Sequence, residues 1–315
     1  MIKNIIAIAF LGIICCIPAG SMGAVLFQEN FDDNNFTSRG WYDGATGAVD
    51  KNEHITGSSA SLICHFLLAG TKCNPADGQY TLRHKFTPTN SVYLSYWIKH
   101  SSNWVGSGKP YHPHILLFLT NLNGDYSGLA YTYLTVYVEE AQGYPVFSIQ
   151  DGQNIDETKI GSDLTTITEN RSVAGCNGTP PNMGHYSVDC YLNGSVHWNG
   201  TVWRSTNAFF FDPNQKSNWH FIEAYFQLNS IVNGIGQQDG IIRYWYDGQL
   251  LINHNNIIMK TGKNPSMLFN QFIIAPYIGD GSPVDQTFWI DNLTIADSKP
   301  TSTAPPSPPT NVRVQ

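Results

Sequence analysis

Alternation of inward and outward side chains is the feature that most constrains this chain. In Val92–Lys99, with the sequence VYLSYWIK, alternate positions form an apolar set that ends at Ile98. A side-chain period of two is typical of a β-strand with one buried face. Residues 221–229, 241–246 and 288–295 repeat the pattern, and no segment of helical length keeps a 3.6-residue period. The sequence therefore predicts an all-β protein.

The turn signals and the composition favour two packed antiparallel sheets. Asp247-Gly248 separates the apolar runs 241–246 and 249–252, and an Asp-Gly pair in that position is a typical hairpin turn. Charged residues make up only 13% of the chain and aromatic residues another 13%, with 28 Gly and 17 Pro. These values suit an extracellular β-sandwich better than a cytosolic α/β enzyme.

The first 24 residues have the pattern of a secretion signal. Lys3 precedes the apolar run 5–17, which is too short for a typical membrane span, and small residues follow at 21–24. We therefore expect residues 1–24 to be a signal peptide and the mature protein to be secreted, with no membrane contact after cleavage. A membrane anchor is the alternative for this segment.

The mature chain divides into one sandwich domain and a tail. We expect the domain to span residues 25–298, with a loop-rich insertion at about 151–211 that is rich in Gly, Asn, Thr and Ser. Residues 299–315 read as a Pro/Ser/Thr-rich linker. The last eight resemble the first strand of a fibronectin type III domain, so a truncated further domain and an accidental likeness both stay open.

Four cysteines remain after the leader, an even number that suits an oxidising compartment. The local pairing joins Cys64 with Cys73 and Cys176 with Cys190. A four-ligand metal site is the alternative, which the lack of a CxxC pair disfavours.

Charge excludes one class of partner and points to another. The net charge of -7 argues against a nucleic-acid partner, because no excess of Lys and Arg is present to neutralise phosphates. Polar and aromatic side chains on the second face of the strands suit a glycan, and basic groups among them suit an acidic one. We expect one concave groove to hold these candidate substrate-binding residues: Arg83, Lys85, Tyr93, Trp97, Lys99, Glu223, Gln227, Asn229 and Trp245. The alternative is an ordinary solvated sheet face.

Several segments carry a family resemblance. They are Leu94–Lys99, Trp104, Gly106–Pro110, Trp219–Glu223, Gln227–Asn229, Asp239–Gly248 and Trp289–Asn292. Together they resemble the alginate- and glucuronan-lyase-type polysaccharide lyases, although Ser107, Tyr111 and His112 stand where that pattern has Gly, Leu and Gly. The resemblance implies a concanavalin A-like jelly roll of two antiparallel sheets.

A lyase of this kind would act by β-elimination, which needs a cation at the uronate carboxylate, a base and a proton donor. Candidates to neutralise the carboxylate are Arg83, Lys109 and Arg243. His112 or His114 is the candidate base and Tyr225 the candidate acid. The two histidines, in the Pro-stiffened loop 109–114, could instead form a weak metal pair or be plain loop residues.

A structural calcium ion is a separate expectation. Glu29, Asp33 and Asp291 lie near the two ends of the domain and would meet if its first and last strands pair. Carboxylate oxygens are ligands that Ca²⁺ prefers. Ordinary turn acids are the alternative.

The sequence thus predicts an extracellular carbohydrate-active protein that binds an acidic polysaccharide and, if it is an enzyme, cleaves it by β-elimination. The alternative is a non-catalytic structural, adhesive or carbohydrate-binding surface module. A glycoside hydrolase is disfavoured, because Glu139 and Glu140 are adjacent and their side chains should face opposite ways.

Overall fold

The computed structural model shows two antiparallel sheets packed face to face. It describes residues 23–43, 47–73, 81–110, 112–127, 132–150, 192–193, 196–197, 201–262 and 264–300. The only helical segments described are the short 3₁₀ turns Phe36–Arg39 and Phe209–Phe211. In these parts of the chain, no helix is long and apolar enough to cross a membrane.

The first sheet has eight strands. Its spatial order is β16 (Gln249–Ile257), β15 (Gly240–Tyr246), β12 (His220–Gln227), β5 (Ser91–His100), β18 (Gln286–Ala296), β3 (Ser61–Phe66) and β2 (Ala48–Asp50), with β1 (Val25–Glu29) also paired to β18. All of its strand pairs are antiparallel.

The second sheet has six strands. Its spatial order is β11 (Thr201–Arg204), β8 (Tyr144–Gln150), β7 (Thr135–Ala141), β6 (His114–Thr120), β17 (Phe269–Tyr277) and β4 (Leu82–Thr89). Two small ribbons complete the described strands: β9 (Leu192–Asn193) with β10 (Val196–His197), and β13 (Ile231–Val232) with β14 (Ile235–Gly236).

Aromatic rings from both inner faces form the core between the sheets. Phe226 of the first sheet lies 4.6 Å from Phe147 and 6.2 Å from Phe118 of the second, measured between ring centroids. All three rings are fully buried. Aromatic pairs at these separations add to the free energy gained from burial alone. The predicted all-β sandwich, with its inward set of alternate residues, is confirmed.

The predicted hairpin turn joins β15 to β16. Asp247 and Gly248 both have positive φ angles, 49° and 79°. A two-residue turn of this hand matches the twist of the flanking strands, and glycine takes the second position without a steric cost. The turn places β16 at the edge of the first sheet.

One predicted disulfide lies within the described residues. Cys64 of β3 is bonded to Cys73, and both residues are fully buried. Cys176 and Cys190 lie outside the described residues, as do residues 1–22, most of the expected insertion and the tail beyond residue 300.

Removing this disulfide should cost stability without changing the fold. Cys64→Ala combined with Cys73→Ala frees a short loop, since the two cysteines are 9 positions apart. A loop of this length predicts a loss of about 2–3 kcal/mol, because the unfolded chain regains conformational freedom. Urea unfolding would measure the change. A reducing agent should leave the double variant unaffected, and a variant as stable as the wild type would contradict the expectation.

Candidate functional site

The structure divides the predicted groove residues between two opposite surfaces. β5, β12 and β15 belong to the first sheet, whereas β4 and β6 belong to the second. The outer face of the first sheet carries Tyr93, Trp97, Lys99, Glu223, Tyr225, Gln227, Arg243 and Trp245. The outer face of the second carries Arg83, Lys85 and His114. The expectation of one shared groove is wrong, because alternation assigns a face but not a sheet.

Neighbouring groups neutralise the charges on the first sheet's outer face. Glu223 accepts a hydrogen bond from the Tyr93 hydroxyl at 2.7 Å and an ion pair from Lys299 Nζ, also at 2.7 Å. The Lys299 ammonium also lies 4.3 Å from the centre of the Trp245 ring. Lys99 pairs with Glu53 at 2.8 Å. Glu223 and Lys99 therefore contact protein partners and stabilise this surface.

The two predicted catalytic residues on this face make local contacts. The Tyr225 hydroxyl donates to Gln227 at 2.9 Å. Arg243 donates to Asn253 and Asn255 of β16, each at 3.2 Å. Tyr225 and Arg243 lie on the side of the sandwich opposite His114. The three side chains therefore cannot act together on one substrate unit.

Asn229 has a structural position instead of a surface one. It is fully buried, and its side-chain oxygen accepts hydrogen bonds from the backbone N–H groups of Met259 and Lys260, both at 2.8 Å. Its amide nitrogen donates to the Lys260 carbonyl at 2.9 Å. Asn229 therefore does not face a ligand, contrary to the expectation from alternation.

Arg83 and Lys85 lie on the outer face of the second sheet, where both are paired. Arg83 is buried, forms an ion pair with Asp43 and donates to the Gln271 side chain at 3.0 Å. Lys85 forms an exposed ion pair with Asp125. The Arg83 guanidinium is therefore held in place among protein partners.

Three neighbouring strands of the second sheet bring His114, Glu139 and Ser148 together. His114 Nδ1 lies 2.5 Å from a carboxylate oxygen of Glu139, and the Ser148 hydroxyl donates to the other oxygen at 2.8 Å. Glu139 is buried, while the His114 side chain keeps 22% of its exposure. Because a carboxylate accepts a hydrogen bond, its position favours a proton on Nδ1 of His114. In the neutral ring the other nitrogen, Nε2, then carries the lone pair.

His112 lies beside His114 with the opposite arrangement of its nitrogens. Its Nδ1 accepts a hydrogen bond from the Gly279 N–H at 3.1 Å, and the two imidazole centres are 4.6 Å apart. Burial, and to a lesser extent the neighbouring His114, lowers the pKa of His112 to about 4. The ring is therefore neutral near pH 7, with its proton on Nε2.

Tyrosine and lysine side chains complete what we call the His114 site. Tyr137 stacks on the His114 ring at 4.5 Å, and Tyr277 lies 5.5 Å from the His112 ring. Tyr277 pairs with His114 in the strand register and is 38% exposed. Lys109 Nζ pairs with Asp280 at 3.1 Å at the rim.

The site thus combines predicted and unpredicted residues. Lys109, His112 and His114 were candidates from the sequence, while Tyr137, Glu139, Ser148 and Tyr277 were not. Alternation within residues 135–141 places Tyr137 and Glu139 on one face and could have indicated them. The contact with Tyr277 depends on pairing between residues 114 and 277, which no local pattern encodes.

Glu140 points into the core, on the other side of β7 from Glu139. One carboxyl oxygen accepts a hydrogen bond from Trp104 Nε1. The other lies 3.8 Å from His100 Nε2, and neither atom has a hydrogen-bond partner among the described residues. Burial raises the pKa of Glu140 to about 8 and lowers that of His100 well below its usual value. The expected opposite facing of the two glutamates is confirmed.

The three carboxylates expected to bind calcium do not form one cluster. Glu29 and Asp33 both bind the Arg39 guanidinium, at 2.7 Å and 2.5 Å. Asp291 instead accepts hydrogen bonds from the Ile55 N–H at 3.0 Å and the Ser58 hydroxyl at 2.9 Å. Within the described residues, no group of three or more His, Cys, Asp or Glu could hold a metal ion. Calcium binding stays a prediction.

No protein-family model matches this chain, and no curated protein matches it in sequence. Solved structures with a similar scaffold include alginate lyase vAL-1 from Chlorella virus, with 12% identity, coverage of 80% of this chain and 89% of that chain, and a TM-score of 0.47. The marine PL-14 alginate lyase from Aplysia kurodai has 14% identity, 87% and 99% coverage and a TM-score of 0.45. The endo-beta-1,4-glucuronan lyase from the fungus Trichoderma reesei has 12% identity, coverage of 87% of this chain and 96% of that chain, and a TM-score of 0.44. The family resemblance holds at the level of the scaffold only.

The buried Glu140 carboxyl should make stability depend on pH. Its folded pKa of about 8 lies above the model-peptide value of 4.5, so the folded state holds a proton that the unfolded state releases between these pH values. Stability relative to Glu140→Gln should therefore fall as pH rises through this window, by up to about 1.4 kcal/mol per pH unit.

Urea unfolding of both proteins from pH 5 to pH 9 would measure this dependence. The difference between them isolates Glu140, because His100 and the other titrating groups are common to both. A constant difference across the window would show that the carboxyl is already ionised in the folded protein.

Proposed function

We propose that this protein binds an acidic polysaccharide at the His114 site and cleaves it by β-elimination. The observation that carries the proposal is the pair of adjacent imidazoles, with ring centres 4.6 Å apart, beside the Glu139 carboxylate at His114 Nδ1. Nδ1 of His114 contacts Glu139, and Nδ1 of His112 accepts a hydrogen bond from the Gly279 N–H, so the two rings are held by different partners. An elimination needs both a base and a donor at neighbouring positions of one sugar unit.

His114 is the base in this proposal. Its Nε2 removes the C5 proton of a uronate unit, and the electron pair forms the C4=C5 double bond as the C4–O bond breaks. Glu139 keeps the imidazole oriented and stabilises the imidazolium that forms, as an acidic partner does in a catalytic triad. Ser148 holds Glu139 in place through its hydrogen bond of 2.8 Å.

His112 and Lys109 interact with the uronate carboxylate. Removing a proton next to a carboxylate builds negative charge on its oxygens, so hydrogen-bond donors there stabilise the transition state. His112 lies next to His114, and Lys109 brings a positive charge to the rim of the site, where it pairs with Asp280. This requirement for a carboxylate is why we propose an acidic substrate.

Tyr277 is the proton donor to the leaving oxygen. It is 38% exposed and lies across the strand pair from His114. A tyrosine hydroxyl can donate a proton at neutral pH and then recover it from water. It takes the role that the sequence assigned to Tyr225, which lies on the opposite surface.

We also propose that the protein acts outside the cell. The Cys64–Cys73 disulfide supports this location, because such bonds form and persist in oxidising compartments. An extracellular location would place the protein where acidic polysaccharides of cell walls and matrices occur.

Activity on a panel of polyuronates tests the proposal. Polymannuronate, polyguluronate and polyglucuronate are incubated with the protein, and the unsaturated product is followed by its ultraviolet absorbance. His114→Ala should lower the rate by about 100-fold or more, since a positioned base contributes about that much. Glu139→Gln should cause a smaller loss, because it keeps the shape but not the charge.

Tyr225→Phe and Arg243→Gln are the matched controls, because they alter predicted catalytic residues on the other sheet. Both should keep wild-type rates. Activity that survives in His114→Ala, or that disappears in Tyr225→Phe, would contradict the assignment. Binding without product across the panel would instead favour a non-catalytic binding module.

A further inference from the structure

A cavity of about 630 Å³ lies on the outer face of the first sheet. Its walls come from β1, β18, β5 and β12, which run side by side there. The volume is within the range of small-ligand sites in proteins. The cavity is on the surface opposite the His114 site, so one ligand unit cannot touch both.

Two aromatic rings form the floor of this cavity. Trp97 of β5 and Phe221 of β12 have ring centroids 5.2 Å apart and are both lining residues. Ile55, Trp219 and Trp289 pack against them and fix their positions. The rings are tilted by 50° to each other and Trp97 is 4% exposed, so the half-buried Phe221 supplies most of this apolar floor. Fixed side chains lose little conformational freedom when a ligand binds.

The charged groups at the cavity are paired with one another within the protein. Glu29 binds Arg39 and the Trp41 indole N–H, both at 2.7 Å. Arg39 also binds the Asp33 carboxylate at 2.5 Å. One guanidinium thus pairs with two carboxylates, so the group keeps a net negative charge that disfavours an anionic ligand.

Amide and hydroxyl groups line the rim. Asn292 is exposed and has a φ of 44°, at the point where the register of β18 shifts between Asp291 and Thr294. Asn tolerates this left-handed backbone better than most residues. Gln28 donates to the Thr294 hydroxyl at 3.2 Å beside it. The rim therefore presents neutral donors and acceptors.

We propose that this cavity is a second glycan site and that it binds uncharged sugar units. The apolar C–H face of a sugar ring packs on Phe221, which Trp97 supports from below, while its hydroxyls bond to Asn292 and the neighbouring amides. The net negative charge of Glu29, Asp33 and Arg39 disfavours uronates here, in contrast to the His114 site. Binding at two opposite surfaces would hold the protein on a mixed polysaccharide more tightly than either site alone.

Affinity electrophoresis in native gels tests the second site. The probes are four neutral polysaccharides in separate gels: laminarin, xyloglucan, galactomannan and hydroxyethyl cellulose. The wild-type protein should be retarded by at least one of them. Phe221→Leu keeps apolar bulk but removes the ring, and Asn292→Gly removes the amide but tolerates the left-handed backbone. Each should weaken retardation at least tenfold in apparent affinity.

Two controls separate this proposal from the proposed function. His114→Ala should be retarded as strongly as the wild type, because it alters only the opposite surface. Leu250→Ala removes an exposed side chain of the same sheet outside the cavity and should also have no effect. Thermal unfolding verifies that every variant is folded. Lack of retardation in all four gels, or full retardation of folded Phe221→Leu and Asn292→Gly, would overturn the second site whatever the lyase assay shows.

Discussion

Ring packing between the two inner faces is the interaction on which the rest of this structure depends. Phe226 contacts Phe118 and Phe147 across the interface, and the alternation of each strand sends every second residue into this layer. The remaining residues face outwards on two separate surfaces. Because the core uses only one face of each sheet, the two outer surfaces can differ in chemistry. One carries two adjacent imidazoles beside a carboxylate, and the other an aromatic floor with paired charges.

The sequence could predict the faces but not the membership of the sheets. A period of two specifies which side chains share a side of one strand, and this prediction was correct for Tyr93, Trp97 and Arg243. It does not specify which strands are neighbours, since pairing joins residues as distant as Lys99 and Trp289. The expectation that Arg83 and Lys85 share a surface with Tyr93 and Trp97 is therefore wrong, because they lie on the other side of the core. Pairing over such sequence distances is a property of the whole fold.

The candidate site shows the same division between local and distant information. The run from Lys109 to His114 is visible in the sequence because its titratable groups are close together. Its chemistry depends on partners from elsewhere, with Glu139 at the Nδ1 of one ring and the Gly279 N–H at the Nδ1 of the other. Those contacts determine which nitrogen carries a proton. A histidine motif alone predicts a proton-transfer group but not its tautomer.

The contact of Lys299 with Glu223 and Trp245 has a consequence for attachment. It fixes the start of the tail on the surface of the first sheet, away from His114. Anything joined to the chain after residue 300, such as an affinity tag or a solid support, therefore begins on the side of the sandwich opposite the imidazoles. An immobilised protein of this kind would present the His114 surface outwards, where a long polymer can approach it without meeting the support.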